Sequence, residues 1–232
     1  METLISVKNV SKIYNEGKPN EVRALDDVSL TINYGEFVAI LGQSGSGKST
    51  LMNILGALDV PTYGEYTLAD IPVSTMKLSK LSKIRNEQIG FIFQGFNLIP
   101  MLSAIENVEL PLIYRAMSKK KRKKAAFDAL ESVGLSERLH HKPTELSGGQ
   151  QQRVAVARAI ASNPPIIMAD EPTGNLDSKS GVEVMKMLTD LNNEQGVSII
   201  LITHDNELAK LAKRTITISD GKIISDVTNG GI

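Results

Sequence analysis

With 232 residues, 41% of them apolar and 22% charged, the chain has the composition of a globular protein with one sizeable core or two close lobes. The absence of cysteine excludes disulfides, thiolate metal sites and cysteine nucleophiles, and a formal net charge of zero gives no whole-chain attraction to nucleic acid. No apolar run approaches the ~20 residues that span a bilayer, and residues 1–8 lack the basic flank and apolar core of a signal peptide. The chain is therefore expected in the cytoplasm, reaching any membrane through a partner.

Residues 4–10 and 28–32 alternate apolar and polar side chains, which predicts half-buried antiparallel strands. Phe37–Leu41 is continuously apolar, the pattern of a strand buried on both faces, and a helix is predicted over about 48–57. Ile89–Phe93 repeats the buried-strand pattern. Residues 94–163 are helix-rich without a buried strand and read as a helical lobe inserted between 1–93 and 164–232. Further apolar runs at 165–169 and Ser198–Thr203 predict two more buried strands, with helices over about 178–195 and 205–212. Strand–helix–strand alternation of this kind argues for an α/β fold with a mainly parallel sheet. At the end, residues 215–219 and 222–227 flank Asp220 and Gly221 and predict a hairpin on an Asp-Gly turn.

Gly42, Ser44, Gly45, Ser46, Gly47, Lys48, Ser49 and Thr50 follow a buried strand and open a helix, the context a phosphate loop requires. The glycines let backbone N–H groups converge on phosphate oxygens, and the helix start adds its positive end. Lys48 would reach the β- and γ-phosphates, and the Ser49 hydroxyl would help hold Mg²⁺. Alone, the motif points to a nucleotidase without saying which kind.

The strand at 165–169 runs into Asp170 and Glu171. A carboxylate at the end of a buried strand is costly unless it is paired or bound to metal. By itself the pair is an ordinary acidic strand-to-loop junction. With a phosphate loop upstream, Asp170 is placed to hold Mg²⁺, and Glu171 to orient and deprotonate an attacking water.

Leu146, Ser147, Gly148, Gly149 and Gln150 precede an amphipathic helix predicted over 151–162. Ser147 with Gln150 reads as a capping box, but two adjacent glycines exceed what a cap needs. They would leave a second helix N-terminus open to an anion. One protomer cannot direct two such ends from opposite lobes at one phosphate. A second copy can supply the other, which implies a head-to-tail dimer with two shared sites.

These motifs, in this order, resemble the ATP-binding-cassette (ABC) nucleotide-binding subunits over nearly the whole chain. The resemblance implies the ABC variant of the phosphate-loop NTPase fold, with a mainly parallel central sheet, an N-terminal antiparallel β subdomain and an inserted α-helical subdomain. It implies ATP and Mg²⁺ as cofactors and ATP hydrolysis as the activity. It places Gln94 at Mg²⁺ or the attacking water, His204 at the γ-phosphate, Asp177 at the opposite protomer's loop and Tyr14 against adenine. Each has a plainer rival: a strand-end polar residue, a structural histidine, a helix N-cap and a core aromatic.

Residues 95–100 and 105–113 resemble the macrolide-exporter, lipoprotein-release and peptide-antibiotic-resistance branch, departing from many relatives with Gln43 and Gly95. That branch implies a separate membrane permease with a large extracytoplasmic domain, and a subunit held on the inner face of the cell membrane. A cell-division type ABC ATPase, signalling without transport, would use the same residues and stays open. A DNA-repair or chromosome-organising relative is disfavoured, because Lys48 and Ser147 are 99 positions apart with no sustained heptads between them. No Asn-Lys-x-Asp guanine motif is present, so ATP is expected rather than GTP. Residues 119–124 are six consecutive basic side chains, read either as a solvated helix start, the simpler account, or as a contact for anionic lipid headgroups. His140 and His141 lack the neighbours of a metal site.

Overall fold

The structure is a computed structural model that describes residues 2–229. In chain order the first elements are β1 (Thr3–Tyr14), β2 (Val22–Asn33), β3 (Phe37–Leu41), α1 (Lys48–Leu55), β4 (Tyr63–Leu68), β5 (Ile71–Pro72), α2 (Leu78–Gln88) and β6 (Ile89–Phe93). They are followed by α3 (Ala104–Tyr114), α4 (Lys119–Ser132), α5 (Gly148–Ile160), β7 (Ile166–Asp170), α6 (Ser178–Gln195), β8 (Ser198–Thr203), α7 (Asn206–Ala209), β9 (Arg214–Ser219) and β10 (Lys222–Thr228). The chain divides into two compact units, one running up to Arg85 and resuming at Gly196, the other running from Asn86 to Gln195.

In the first unit, alternation along β1 buries Ile5, Val7 and Val10 and turns Lys8 to solvent. β1 pairs antiparallel with β2 (Ile5 facing Ile32, Val7 facing Leu30) and with β4 (Val7 facing Tyr66), and β5 extends the sheet beyond β4. The sequence reading missed β4 and β5. Only Tyr66 and Leu68 of β4 are buried, so two apolar positions in six residues give no detectable period. Both early strands are also longer than their alternation predicts. Register shifts along β1 interrupt the period before the pairing ends.

β3 is buried along almost its whole length and lies between β8 and β9, parallel to both, with β10 antiparallel on β9. The β9–β10 turn has φ 49° at Asp220 and 74° at Gly221, the two positive values a two-residue Asp-Gly hairpin requires. Tyr66 ties the antiparallel sheet to α1. Its ring is fully buried and its hydroxyl donates to the Leu55 carbonyl at 2.5 Å, with burial pushing the phenol far above its ordinary pKa.

In the second unit, β6 and β7 run parallel, Ile89 opposite Ile166 and Phe93 opposite Asp170. Gly90 sits so close to α5 that a Cβ there would come 2.5 Å from the Ala159 carbonyl oxygen. Residues 94–163 hold α3, α4 and α5 and no strand, as their composition predicts. α3 opens on a complete capping box between Ser103 and Glu106. Asn107, fully buried, accepts from the Ile99 N–H and donates to the carbonyls of Ile99, Leu102 and Ser103, which winds the preceding loop onto the helix. α5 begins at Gly148 rather than 151, because the Ser147 cap draws both glycines into the first turn. α7 is a single turn within the longer stretch predicted.

Candidate nucleotide site

The phosphate loop leaves β3 at Leu41 and enters α1 at Lys48. Its glycines serve two purposes. A Cβ at Gly42 would lie 2.5 Å from the Ile218 carbonyl oxygen, and one at Gly47, where φ is 105°, would lie 2.8 Å from that of Ala24. Gly45 faces open space, and only its φ of 80° requires glycine. Lys48 Nζ donates to the carbonyls of Gly42 and Gln43, each at 2.6 Å, so its ammonium stays beside the loop. No side chain caps α1 and its first turn holds no acidic residue, which leaves its N–H groups to an external oxyanion. Ser44, Gly45 and Ser49 are exposed, Thr50 is half-buried and Ser46 is buried.

Behind the loop lies the Asp220–Gly221 turn. The Gly221 N–H donates to the Ser46 carbonyl at 2.9 Å, and the Gly221 carbonyl accepts from the Asp26 N–H at 2.9 Å. The loop is therefore braced by β2 through one residue of a distant hairpin. Tyr14 closes β1, and the Lys12 ammonium lies 5.2 Å from its ring centroid, held there by Asp59 and the Val60 carbonyl. His204 follows β8 directly and is exposed.

In the second unit, Asp170 ends β7 and Glu171 follows with φ 45°. Such a value is rare outside glycine and asparagine, and conformational strain of this kind collects at functional sites. The Glu171 carbonyl accepts from the Gly174 N–H at 3.0 Å, turning the chain back at once. Gln94 lies against that turn. Asn175 Nδ2 donates to the Gln94 carbonyl at 3.1 Å, and a Cβ on Gly174 would lie 2.6 Å from Gln94 Nε2.

The Ser147–Gln150 capping box is complete, with bonds of 2.9 and 3.3 Å. Gly149 has a further reason to be glycine, since a Cβ there would come 2.5 Å from Ser180 Oγ. Gly148 has no such constraint, its nearest neighbour being the Asn175 carbonyl at 3.8 Å. Asp177 caps α6, accepting from the Ser180 N–H at 2.9 Å and its hydroxyl at 2.8 Å. Those two bonds hold its carboxyl below the usual range. Within this unit Gln94, Gly148, Gly149, Asn175 and Asp177 thus form one connected surface.

Four further residues escaped the sequence reading. Gln152, fully buried, donates to the carbonyls of Pro172 at 2.6 Å and Phe93 at 3.4 Å, holding the segments that carry Glu171 and Gln94 against α5. Its available signal was a polar residue at helical spacing from Ala155, Val156 and Ala159. Arg158 donates to the carbonyls of Asn97 at 2.5 Å and Phe96 at 2.8 Å, both residues having positive φ, and burial lowers its pKa. Lys12, two residues before Tyr14 in a strand, was legible as its same-face neighbour. The second role of Gly221 had no local signal.

The family model for the ABC transporter matches residues 25–174. YvrO of Bacillus subtilis, an uncharacterized ABC transporter ATP-binding protein, is 52% identical over 223 residues, 96% of each chain. MacB of Hyphomonas neptunium, a macrolide export ATP-binding/permease protein, is 54% identical over 97% of this chain, which spans 35% of that longer protein. The ATP-binding cassette MJ0796 has been solved as a dimer in a post-hydrolysis state bound to ADP and Pi. That structure matches 99% of this chain and 100% of its own with a TM-score of 0.89 and 48% identity. The chain belongs to the ABC transporter family and is one of its ATP-binding subunits, an ABC-type ATPase.

Proposed function

We propose that the chain drives a separate membrane permease of the macrolide-export and lipoprotein-release type by dimerising head to tail on ATP and reopening after hydrolysis. The observation that carries this reading is α1, an uncapped helix start held behind a glycine loop with its lysine alongside. MJ0796, dimeric with ADP and Pi, supports the assembly, and MacB supports the export role.

Lys48 would neutralise the β- and γ-phosphates, and the N–H groups of residues 44–50 would cradle them. Glu171 would take the proton of the attacking water, with His204 orienting it and the γ-phosphate. Ser147, Gly148 and Gly149 of a second copy would meet the same γ-phosphate on a helix start that Gln150 caps, with Asp177 steadying the loop opposite and Tyr14 stacking on adenine. The oxygens of Ser49, Asp170 and Gln94 suit Mg²⁺, which binds through one or two carboxylates plus substrate phosphates. No group of three or more acidic, histidine or cysteine side chains among the described residues forms a dedicated metal cage, in keeping with that mode. Bound Mg²⁺ would neutralise charge developing on the phosphates.

The test is size exclusion of Glu171→Gln with and without ATP. A dimer that appears only with ATP is expected, and a chain that stays monomeric at high concentration refutes the shared-site mechanism. Co-purification with a tagged permease encoded beside it tests the partner.

A further inference from the structure

We propose that the tip of the α3–α4 hairpin is a docking surface for an anionic bilayer, with Lys119, Lys120, Lys121 and Lys123 as its cationic contacts and Tyr114 as its interfacial anchor. The proposal goes beyond ATP hydrolysis but rests on the proposed function, in which a permease brings the chain to a membrane.

The hairpin is rigid. Backbone N–H groups of Ala116 and Met117 donate to the carbonyls of Ile113 and Leu112, closing the turn, and Arg122 pairs with the mostly buried Glu109 at 2.6 Å. Arg115 anchors the turn from below, donating to the carbonyls of Asn86, Glu87 and Ser162. Two of the seven basic residues between 115 and 124 are thus occupied inside the fold. Lys124 pairs with Asp128. The remaining four lysines are exposed and make no ion pair or hydrogen bond with the described residues.

Their placement opposes local stability. Cations at a helix start face the positive end of the backbone dipole, and α4 has neither an acidic residue in its first turn nor a side-chain bond from Ser118 at its cap. The four unpaired lysines, Lys119 to Lys123, span about 6 Å of helix, within one Debye length at physiological salt, so they act on an outside surface as one multivalent patch. Charge elsewhere sharpens the orientation. With six of the 26 basic residues in this run, 20 remain against 26 acidic ones, so the rest of the chain is net acidic and supplies no net attraction to an anionic surface.

An anionic polymer or an acidic protein segment would satisfy the lysines alone. Tyr114 at 81% and Ile113 at 47% exposure end α3 on the other side of the same tight turn. An exposed aromatic beside lysines is the side-chain combination that seats at a headgroup boundary, the ring among the acyl–headgroup contacts and the ammonium groups on the phosphates.

The experiment is sedimentation of the full chain with vesicles one third phosphatidylglycerol in phosphatidylcholine, against pure phosphatidylcholine, at low and high salt. Binding should require the anionic lipid and fall with salt. Each Lys→Gln change should weaken partitioning about fivefold, and all four together roughly several-hundredfold. Tyr114→Ser should weaken it further. The fourfold variant should hydrolyse ATP at the parent rate and melt no lower than the parent, separating lost docking from lost folding. Equal partitioning to both vesicle types, an unaffected fourfold variant, or binding to a DNA duplex with no vesicle preference would overturn the proposal. Failure to co-purify with any permease would instead refute the proposed function, whatever the vesicles show.

Discussion

Gly221→Ala tests whether the phosphate loop is set by its own sequence or by the hairpin behind it. The substitution meets two obstacles. Alanine at φ 74° is disfavoured by roughly 1–2 kcal/mol, and its Cβ would lie 2.8 Å from the Ala24 carbonyl oxygen and 3.2 Å from Leu25 Cα. Both neighbours are backbone atoms of β2 and cannot rotate away, so the turn itself must move, at an overpacking cost of about 1–3 kcal/mol. Gly17 supplies the control, since its φ is 72° and nothing lies within 4 Å of a Cβ there. Gly17→Ala should therefore show the conformational cost alone, and Gly221→Ala should exceed it by about 1–3 kcal/mol in urea unfolding.

Movement of the turn also withdraws the N–H that holds the Ser46 carbonyl at 2.9 Å. Nucleotide affinity, read by titration with a fluorescent ATP analogue, should fall about tenfold in Gly221→Ala and stay at the parent value in Gly17→Ala, a difference of ~1.4 kcal/mol. Equal stabilities for the two variants, or parental affinity in Gly221→Ala, would refute the bracing argument.

Gln152→Leu keeps the volume of a fully buried side chain but strands the Pro172 carbonyl, so ATP turnover should drop while unfolding cooperativity persists; parental turnover would show that Gln152 does not position the Glu171 segment. Arg158→Met removes two charge-assisted bonds to residues with positive φ and should cost about 2 kcal/mol in denaturant unfolding, a larger loss than a surface arginine gives. Asp177 has a depressed carboxyl in the folded chain, so its contribution is fully present above the ordinary carboxylate pKa and disappears as pH falls through the lower folded value. The stability difference between the parent and Asp177→Ala should accordingly be present at neutral pH and shrink in acid; a pH-independent difference would contradict the Ser180 bonds as its source.

Sequence legibility followed the range of the interactions. The phosphate loop, the buried strands and the Ser147–Gln150 capping box depend on neighbours within a few residues and were read as spacing, whereas the equally local Ser103–Glu106 box was missed. β4 was not, because its partner along β1 lies more than fifty residues away and supplies the apolar face that β4 lacks. Gly221 was readable as a turn residue and unreadable as a brace, since its bond to Ser46 joins positions 175 residues apart. Gly149 shows the same split within one motif: its place in a helix start is local, whereas its need to lack a Cβ comes from Ser180 on another helix. Asp177 was readable both as a family contact and as an N-cap, and its bonds to Ser180 show that the N-cap geometry is formed.

Helix starts sort by who supplies their acceptor. α3 and α5 close theirs with reciprocal Ser–Glu and Ser–Gln bonds, while Asp177 and Asp205 serve α6 and α7. α1 and α4 receive no side-chain acceptor at all. For α1 the missing partner matches a phosphate, and Lys48, bonded to its own loop carbonyls, adds positive charge without blocking the N–H groups. For α4 the lysines point the same demand outward from an exposed tip. The box at α5 has a consequence for the Leu146–Gln150 motif. Its Gln150 N–H is already spent on Ser147, so any γ-phosphate bound there must be met by the N–H groups of Gly148 and Gly149 and by the Ser147 hydroxyl as donor. Ser147→Ala would then remove a cap and a ligand together, whereas Gln150→Ala would loosen only the cap. ATP-dependent dimerisation should therefore be lost in the first variant and merely weakened in the second, and the reverse order would contradict this division of the motif.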